Sequence, residues 1–510
     1  MQITSQRLRR RSSQPTWEKF RAEVRKIDRD SLLLEAAGAT ALIAKDALPE
    51  EAARQGLTPW NVADVARTAL SWGGPDIRTA GSYDLRRLCN LNVNLVDEGT
   101  DAARRSNDRL ARLLMRTFFE QFPGQRSIMA EVSRSLLLFG TASEHPQGFI
   151  PEAMKPGWFE GFMGGLSLDG YVEALLLIAV IAQQHSGAFS MDWLESPMFE
   201  GLEKVTSFDA VRQTFTEHLV TTVADFKLAN RQHQDGVPSK QKKYAFNPLA
   251  DKPFIADVAE FPIAPWGQAI ISKALPPAIY HLARPALGDL FSRDLGAVFQ
   301  HYVGRQLELV EGASSVLPEV QYGHRSAQID SCDWFLELPE LLVLIECKAR
   351  QPIESLRIGG SDWLSSIEGS INKAIKQINR SDADIAKISA SSPDIDPLKP
   401  RVGLVVTLEP FYLGQNWLMG EHLAEAELPT AVVSIADLET LVLHDADELV
   451  DVLRAAASAS VNNRMAITPG FTTSEGRVNP LLDETWESIP FFQRVETVAD
   501  GMRVESESSE

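Results

Sequence analysis

The stretch from Ile329 to Arg350 reads IDSCDWFLELPELLVLIECKAR, and the surrounding region can be interpreted from it. Two short apolar runs flank a turn that contains Pro339, a pattern that predicts a β-hairpin. A symmetric hairpin centred between Pro339 and Glu340 places Asp333 opposite Glu346. The second run, LLVLI, is continuously apolar, as expected of a strand that is buried on both faces of a sheet.

The end of the predicted hairpin carries acidic and basic side chains. Side chains alternate between the two faces of a strand, so Glu346 and Lys348 share a face. Directly opposed residues have β-carbons about 4.5–5.5 Å apart, which is close enough for Asp333 and Glu346 to share one divalent cation. Charges at the end of a buried strand are costly unless they are paired or bind a metal. The spacing therefore predicts a metal site.

This site has the chemistry of phosphodiester hydrolysis. We expect Asp333, Glu346 and the backbone carbonyl of Cys347 to bind Mg²⁺ or Mn²⁺, together with water molecules. The metal would lower the pKa of a bound water and neutralise charge on the phosphate. Lys348 would orient or deprotonate the water, or stabilise the transition state. The sequence has no Gly-rich phosphate-binding loop, so an unrelated Mg²⁺ phosphotransferase remains a remote alternative.

The same residues resemble the core of the PD-(D/E)xK nuclease superfamily. The resemblance rests on Ser-Cys-Asp333-Trp-Phe-Leu, a turn, and Leu-Ile-Glu346-Cys-Lys348-Ala. Residues 295–303 (LGAVFQHYV) are similar to the first core helix of that family, 365–380 to the helix after the Glu-x-Lys strand, and 401–408 to the next strand. The resemblance covers roughly residues 246–451. It implies a restriction-endonuclease-like mixed α/β sheet flanked by helices, and a nuclease acting on DNA in restriction, repair or defence against phage and other mobile elements.

One residue departs from the family pattern. The helix glutamate that often completes the metal site of such nucleases is Gln300 here. A neutral amide can still reach a metal-bound water, but it weakens the case for a second metal. It also leaves open the alternative of a catalytically decayed module that binds nucleic acid or a protein partner.

The helix after the motif supplies further candidates. Lys373 and Gln377 lie one helical turn apart and, with Gln300, are candidates for residues that support the site. A second group of basic residues is a weaker prediction for nucleic-acid contacts, since a charge run on an amphipathic helix is also typical of a solvated face. These residues are Arg350, Arg357, Lys376 and Arg380.

Composition and charge bound the remaining functions. The 510 residues carry a formal net charge of −19, which argues against indiscriminate coating of nucleic acid. Three cysteines without metal-ligand spacing, and no export signal, predict a cytoplasmic protein. The longest apolar run, 174–182, is far too short to span a membrane and predicts a buried helix.

The chain is expected to contain several domains. Residues 1–230 are predicted to be a mostly helical domain of unknown role that could bind a protein partner or form a homo-oligomer. A polar linker is predicted at 231–245, the nuclease-like α/β domain at 246–455, and a polar acidic extension at 456–510. The aromatic residues of that extension, Trp486, Phe491 and Phe492, are expected to pack within the molecule.

Overall fold

The computed structural model describes residues 14–45, 56–75, 77–96, 107–121, 127–140, 143–196, 201–324, 326–351, 357, 367–411, 422–467 and 477–495. Residues 365–366 of the helix predicted at 365–380 and residues 496–510 of the predicted acidic extension lie outside these ranges. The chain divides into two compact units. The first contains 1–105, 180–190 and 219–270, and the second contains 106–179, 191–218 and 271–510.

The α-helices of the described ranges are numbered in chain order. They are α1 Trp17–Val24, α2 Arg29–Ala44, α3 Pro59–Trp72, α4 Ser82–Val93, α5 Asn107–Gln121, α6 Ile128–Phe139, α7 Trp158–Phe162, α8 Leu168–Gln184, α9 Phe208–Gln213, α10 Val223–Gln234, α11 Gln268–Ser272, α12 Pro276–Leu307, α13 Lys373–Ala383, α14 Ile385–Ser391, α15 Ile435–Leu441, α16 Ala446–Ser458 and α17 Pro480–Glu487. π-helical segments lie at Thr214–Leu219 and Glu368–Asn372, and 3₁₀ turns at Met191–Glu195, Leu202–Lys204, Lys242–Tyr244 and Pro248–Ala250.

The strands of the described ranges are short except at the centre of one sheet. They are β1 Val220–Thr221, β2 Phe254–Ile255, β3 Ser315–Pro318, β4 Gln321–His324, β5 Ala327–Asp330, β6 Trp334–Glu337, β7 Leu342–Lys348, β8 Arg401–Thr407 and β9 Thr430–Ser434.

The first unit is mainly helical and has its own core. Helix α3 packs against α2, α4 and α10, and apolar side chains from these helices form one buried cluster. The first residues of two of these helices explain where they begin. The Asp28 carboxylate caps α2 by accepting a hydrogen bond from the Ser31 backbone N–H. Pro59 occupies the first turn of α3, where its missing N–H is not needed. Strands β1 and β2 form a two-stranded parallel pair in this unit.

The second unit is built on a mixed five-stranded sheet in the order β3-β6-β7-β8-β9. Strands β3, β6 and β7 pair antiparallel, and β7, β8 and β9 pair parallel. This arrangement confirms the predicted α/β class for the sheet region. The central strand β7 is buried from Leu342 to Glu346, as its continuous apolar run predicts.

Helices cover both faces of this sheet. Leu342 and Leu344 of β7 share a buried cluster with Ile375 and Ile378 of α13, so α13 covers the face on which even-numbered β7 residues lie. The ring of Trp334 lies against Gly304 of α12. Trp334 pairs with Ile345 across the hairpin, so α12 lies on the opposite face.

Several local predictions are confirmed. The helix predicted at 174–182 lies within α8, and the part of the predicted helix 365–380 that the structure describes is helical from 367 onward, with an apolar face buried along 367–378. In the C-terminal extension, Phe491 is buried, and Phe492 contacts both Trp486 and Phe491.

The division into units does not coincide with the predicted domain boundaries. Residues 106–179 belong to the same compact unit as the sheet, although they were predicted to be part of the helical domain 1–230. The stretch predicted as a linker, 231–245, lies inside the first unit: α10 extends to Gln234, and Lys242–Tyr244 form a 3₁₀ turn. Within the predicted helical domain 1–230, the short strand β1 at Val220–Thr221 separates two helical segments.

None of the helices within the described ranges is both long enough and apolar enough to cross a bilayer.

Candidate active site

Asp333 and Glu346 meet at one end of the β6–β7 hairpin. The observed pairs Trp334–Ile345 and Glu337–Leu342 give the register that a hairpin centred between Pro339 and Glu340 predicts. Continuing this register by one residue places Asp333 opposite Glu346. The Cys347 backbone N–H donates to Asp333 Oδ2 at 2.6 Å, which fixes the aspartate carboxylate beside β7.

A β-bulge positions Asp333 just before β6. Pro318 pairs with Trp334 in one ladder, and Gln321 pairs with Asp330 in the next. Two residues lie between these pairs on one strand and three, Ser331 to Asp333, on the other, so the second strand carries one extra residue. Ser331 Oγ accepts from Val320 N at 2.9 Å within this bulge. Bulges redirect side chains at strand ends, and this one lies directly before the aspartate.

Glu346 and Lys348 form an ion pair, as their shared face predicts. Lys348 Nζ donates to Glu346 Oε1 at 2.6 Å and to Gln377 Oε1 of α13 at 3.0 Å. Glu346 is 1% exposed, and its second oxygen, Oε2, is buried without a hydrogen-bond partner. The lysine therefore satisfies one oxygen of a buried carboxylate and leaves the other available to a ligand.

Burial makes ionisation of both carboxylates costly. Burial and, after it, the negative charge of Asp333 raise the pKa of Glu346 to about 8, against the opposing attraction of Lys348. Burial also raises the pKa of Asp333, although the Cys347 N–H and Lys348 counteract this. A cation bound between the two carboxylates would relieve both penalties.

The structure adds an acid that the sequence did not predict. Glu319 follows β3, and the β3–β6 register continued by one residue places it opposite Asp333. Partial desolvation and the negative charges of Asp333 and Asp330 raise the pKa of Glu319 to about 7, against the attraction of Arg380. Glu319, Asp333 and Glu346 thus form a row across the ends of three neighbouring strands.

The Cys347 carbonyl lies on the side expected of a metal ligand. Lys348 O accepts from Leu408 N at 3.0 Å, so the polar backbone groups of Lys348 face β8. Those of the preceding residue face the other side, as the Cys347 N–H bond to Asp333 shows. The Cys347 carbonyl therefore faces the edge of β7 where β6 has ended and Asp333 lies.

The residues present fit a hard divalent cation. Within the described ranges, no group of three or more His, Cys, Asp or Glu side chains is arranged to hold a metal ion by itself. Asp333 and Glu346 would be completed by the Cys347 carbonyl and by water. Mg²⁺ commonly binds proteins in this way, through one or two carboxylates and several waters. A cation beside Glu346 Oε2, which is buried without a hydrogen-bond partner, would satisfy this oxygen.

The other predicted site residues fall into two groups. Gln377 contacts Lys348 directly, whereas Lys373, one turn earlier on α13, is exposed, as is Lys376. Gln300 is half-buried on α12, and its backbone carbonyl accepts from Trp334 Nε1 at 2.8 Å, which places this turn of α12 beside the start of β6.

The predicted basic contacts lie in separate places. Arg380 donates to the Asp330 carbonyl at 2.8 Å and attracts Glu319, so it borders the row of acids. The Arg350 guanidinium lies against Gly369, two residues beyond Ile367. The Arg357 guanidinium lies 5.7 Å from the ring centroid of Phe119.

Comparisons with known proteins give no independent assignment. Neither the family models, nor the curated proteins, nor the solved structures contain a match to this chain.

Proposed function

We propose that this protein is a metal-dependent nuclease that hydrolyses phosphodiester bonds, with DNA as the substrate, on a restriction-endonuclease-like sheet. One observation carries the proposal: the buried carboxylate of Glu346 and the half-buried carboxylate of Asp333 meet one lysine at the end of a central strand. Such an excess of buried negative charge is costly for a purely structural site. Its cost is repaid when a divalent cation and a phosphate bind there.

The residues divide the work of such a reaction. Asp333, Glu346 and the Cys347 carbonyl would hold Mg²⁺ or Mn²⁺, which supplies Lewis-acid activation of water and charge neutralisation at the phosphate. Lys348 is directed by Glu346 and Gln377, so its ammonium is held at a fixed point beside the carboxylates. From there it stabilises the additional negative charge of the pentavalent transition state.

Gln377 and Glu319 act on this arrangement from its two sides. Gln377 accepts a hydrogen bond from Lys348 and thereby restricts the rotamers of a long, flexible side chain. Glu319 stands next to Asp333 and can take up a proton near neutral pH, because the pKa of its carboxyl is about 7. Gln377 thus positions the Lys348 ammonium, and Glu319 provides a proton acceptor beside Asp333.

The test is cleavage of plasmid, linear duplex, single-stranded DNA and RNA with Mg²⁺ or Mn²⁺, with EDTA as a control. Lys348→Ala is expected to lower the cleavage rate about 100- to 10,000-fold, the range for a group that acts on the transition state. Lys387→Ala is the matched control, since Lys387 is 68% exposed on α14 and pairs with Asp384. It should cleave at the wild-type rate.

The outcomes separate the alternatives. Equal cleavage by wild type and Lys348→Ala would contradict the assignment of the site. Absence of cleavage together with absence of calorimetric metal binding would favour the decayed binding module, as Gln300 in place of an acid allows. Cleavage of RNA but not DNA would retain the chemistry and change the substrate.

A further inference from the structure

The first compact unit carries basic side chains that lie over aromatic rings. The Arg21 guanidinium lies 5.1 Å from the ring centroid of Trp17 and 4.8 Å from that of Trp72. The Lys242 ammonium lies 5.0 Å from the Trp17 ring. Trp72 is 41% exposed and contacts Trp17 edge to face, with centroids 6.0 Å apart. Two cationic side chains, Arg21 and Lys242, thus lie next to a partly exposed tryptophan ring.

A small pocket lies beside these rings. Its lining residues are Trp17, Leu95, Val96, Ser239, Lys240, Lys243 and Tyr244. Trp17 is 6% exposed, and its Nε1–H is buried with no acceptor. A buried donor without a partner costs about 1–3 kcal/mol, and a phosphate oxygen is an acceptor that neighbouring ammonium groups also attract.

A buried arginine holds the basic turn in place from beneath. Arg67 is 2% exposed and donates to the backbone carbonyls of Lys242, Lys243 and Ala245. Its guanidinium also pairs with the buried carboxylate of Asp64. The 3₁₀ turn Lys242–Tyr244 is therefore preorganised, which lowers the entropic cost of binding an anion. A solvated linker would not require such an anchor.

Local charge favours a phosphate ligand despite the acidity of the whole chain. Glu18 borders the cluster, but it accepts a hydrogen bond from Ser239 and is attracted by Arg21. The neighbouring cations exceed this one negative charge; they are Arg21, Lys240, Lys242 and Lys243. A chain with a net charge of −19 needs such a concentrated patch to hold a polyanion.

We infer that this cluster binds the phosphate groups of a single-stranded nucleic acid. The basic side chains around the pocket can contact phosphate oxygens at the surface, and the exposed part of Trp72 offers a ring on which a base can stack. The inference rests on the proposed nuclease function, because that function makes nucleic acid the relevant phosphate ester. It adds a binding site on the helical unit to a catalytic site on the sheet.

The test measures binding without cleavage. Fluorescence anisotropy would follow a fluorescein-labelled oligothymidylate binding to the full-length protein in EDTA over a series of NaCl concentrations. Each phosphate contact on a single strand contributes about −0.7 to the slope of log K against log salt. The double variant Arg21→Ala, Lys242→Ala should therefore bind more weakly at low salt, with a slope that is shallower by about 1.4.

Two variants control for fold and for total charge. Arg25→Ala, Lys26→Ala removes the same two residue types from exposed positions directly after α1, and it should keep the wild-type slope. Lys242→Arg keeps the charge and should also keep it. Circular dichroism of each variant would verify the fold.

Each remaining outcome would overturn the inference. Equal slopes for both double variants would show that the cluster does not contact phosphates. Displacement by inorganic phosphate at the same concentration of phosphate groups would assign the pocket to free phosphate. Tighter binding of a hairpin duplex would exclude the single-strand assignment. Because no cleavage occurs in EDTA, failure here is separate from failure of the nuclease assay.

Discussion

Each end of the β6–β7 hairpin has a buried glutamate that pairs with a lysine. At the turn end, Lys399 Nζ lies 2.5 Å from Glu337 Oε1. At the open end, Lys348 Nζ lies 2.6 Å from Glu346 Oε1. Each glutamate also has one buried oxygen without a partner, so an unsatisfied oxygen alone does not identify a functional site.

Neighbouring charge makes the two ends different. Lys399 also donates to the Leu338 carbonyl at 2.6 Å, and this end is a self-contained ion pair. At the other end Asp333 and Glu319 join Glu346, and the pKa values of all three carboxyls are raised. A buried ion pair is neutral by itself, whereas an excess of buried acids is stabilised when a cation binds to it.

The largest contrast is expected when each glutamate is replaced by glutamine. Glu346→Gln should lower cleavage about 100- to 10,000-fold, since it removes a proposed metal ligand. It should leave the metal-free protein at least as stable at pH 8, because it removes a carboxylate that burial disfavours. Guanidinium unfolding and plasmid cleavage measure both effects.

Glu337→Gln should behave in the opposite way. It leaves Lys399, which is 19% exposed, without its carboxylate partner. We expect a loss of about 1–3 kcal/mol in the free energy of unfolding, below the cost of breaking a fully buried pair, with cleavage retained. Equal loss of cleavage in both variants would contradict the distinction between the two ends.

A smaller effect is expected from pH and Mg²⁺ together. The folded pKa of Glu346, about 8, lies above its ordinary value of 4.5, so the folded metal-free protein binds this proton more tightly than the unfolded chain. Its contribution to stability is complete below the ordinary value and is lost as pH rises through the folded pKa. Mg²⁺ binds the ionised form, so its stabilising effect should be larger at pH 8 than at pH 5.5.

Thermal unfolding with and without Mg²⁺ at several pH values measures this effect. Saturation at 100 times Kd would add about 2.7 kcal/mol at the higher pH. The Glu346→Gln variant should show a much smaller difference between the two pH values. Stabilisation by Mg²⁺ that grows toward acid pH would contradict the proposed ligands.

The smallest expected effect comes from Glu319. Glu319→Gln removes a proton acceptor but leaves Asp333, Glu346 and Lys348 in place, so cleavage should fall by about tenfold or less. The loss should be larger above pH 7 than below it, because the wild-type carboxylate is ionised above that pH. A pH–rate profile identical to that of the wild type would show that Glu319 takes no part.

Local geometry explains why much of this site could be predicted. The turn at Pro339 fixes the hairpin register, and the alternation of side chains then fixes which charges meet. Gln377 and Lys373 were equivalent from spacing alone. The packing of Ile375 and Ile378 against the sheet rotates α13 so that Gln377 reaches Lys348.

Non-local pairing explains what could not be predicted. Glu319 enters the site through the pairing of β3 with β6, and Pro318 at the end of β3 argues against a strand in the sequence. The division into units likewise depends on tertiary packing, so the helical sequence of 106–179 gave no sign that this segment belongs with the sheet. The fold beyond α/β, the metal and the nuclease activity stay predictions.

The contact between Gly304 and Trp334 links two distant positions in the sequence. The indole ring occupies the space that a β-carbon at position 304 would need, so even alanine cannot enter without displacing the ring or α12. The same indole donates to the Gln300 carbonyl, one turn earlier on that helix. Positions 304 and 334 are therefore expected to covary in evolution. A larger residue at 304 should be tolerated only together with a smaller side chain at 334, so homologues of this chain should exchange the two positions together.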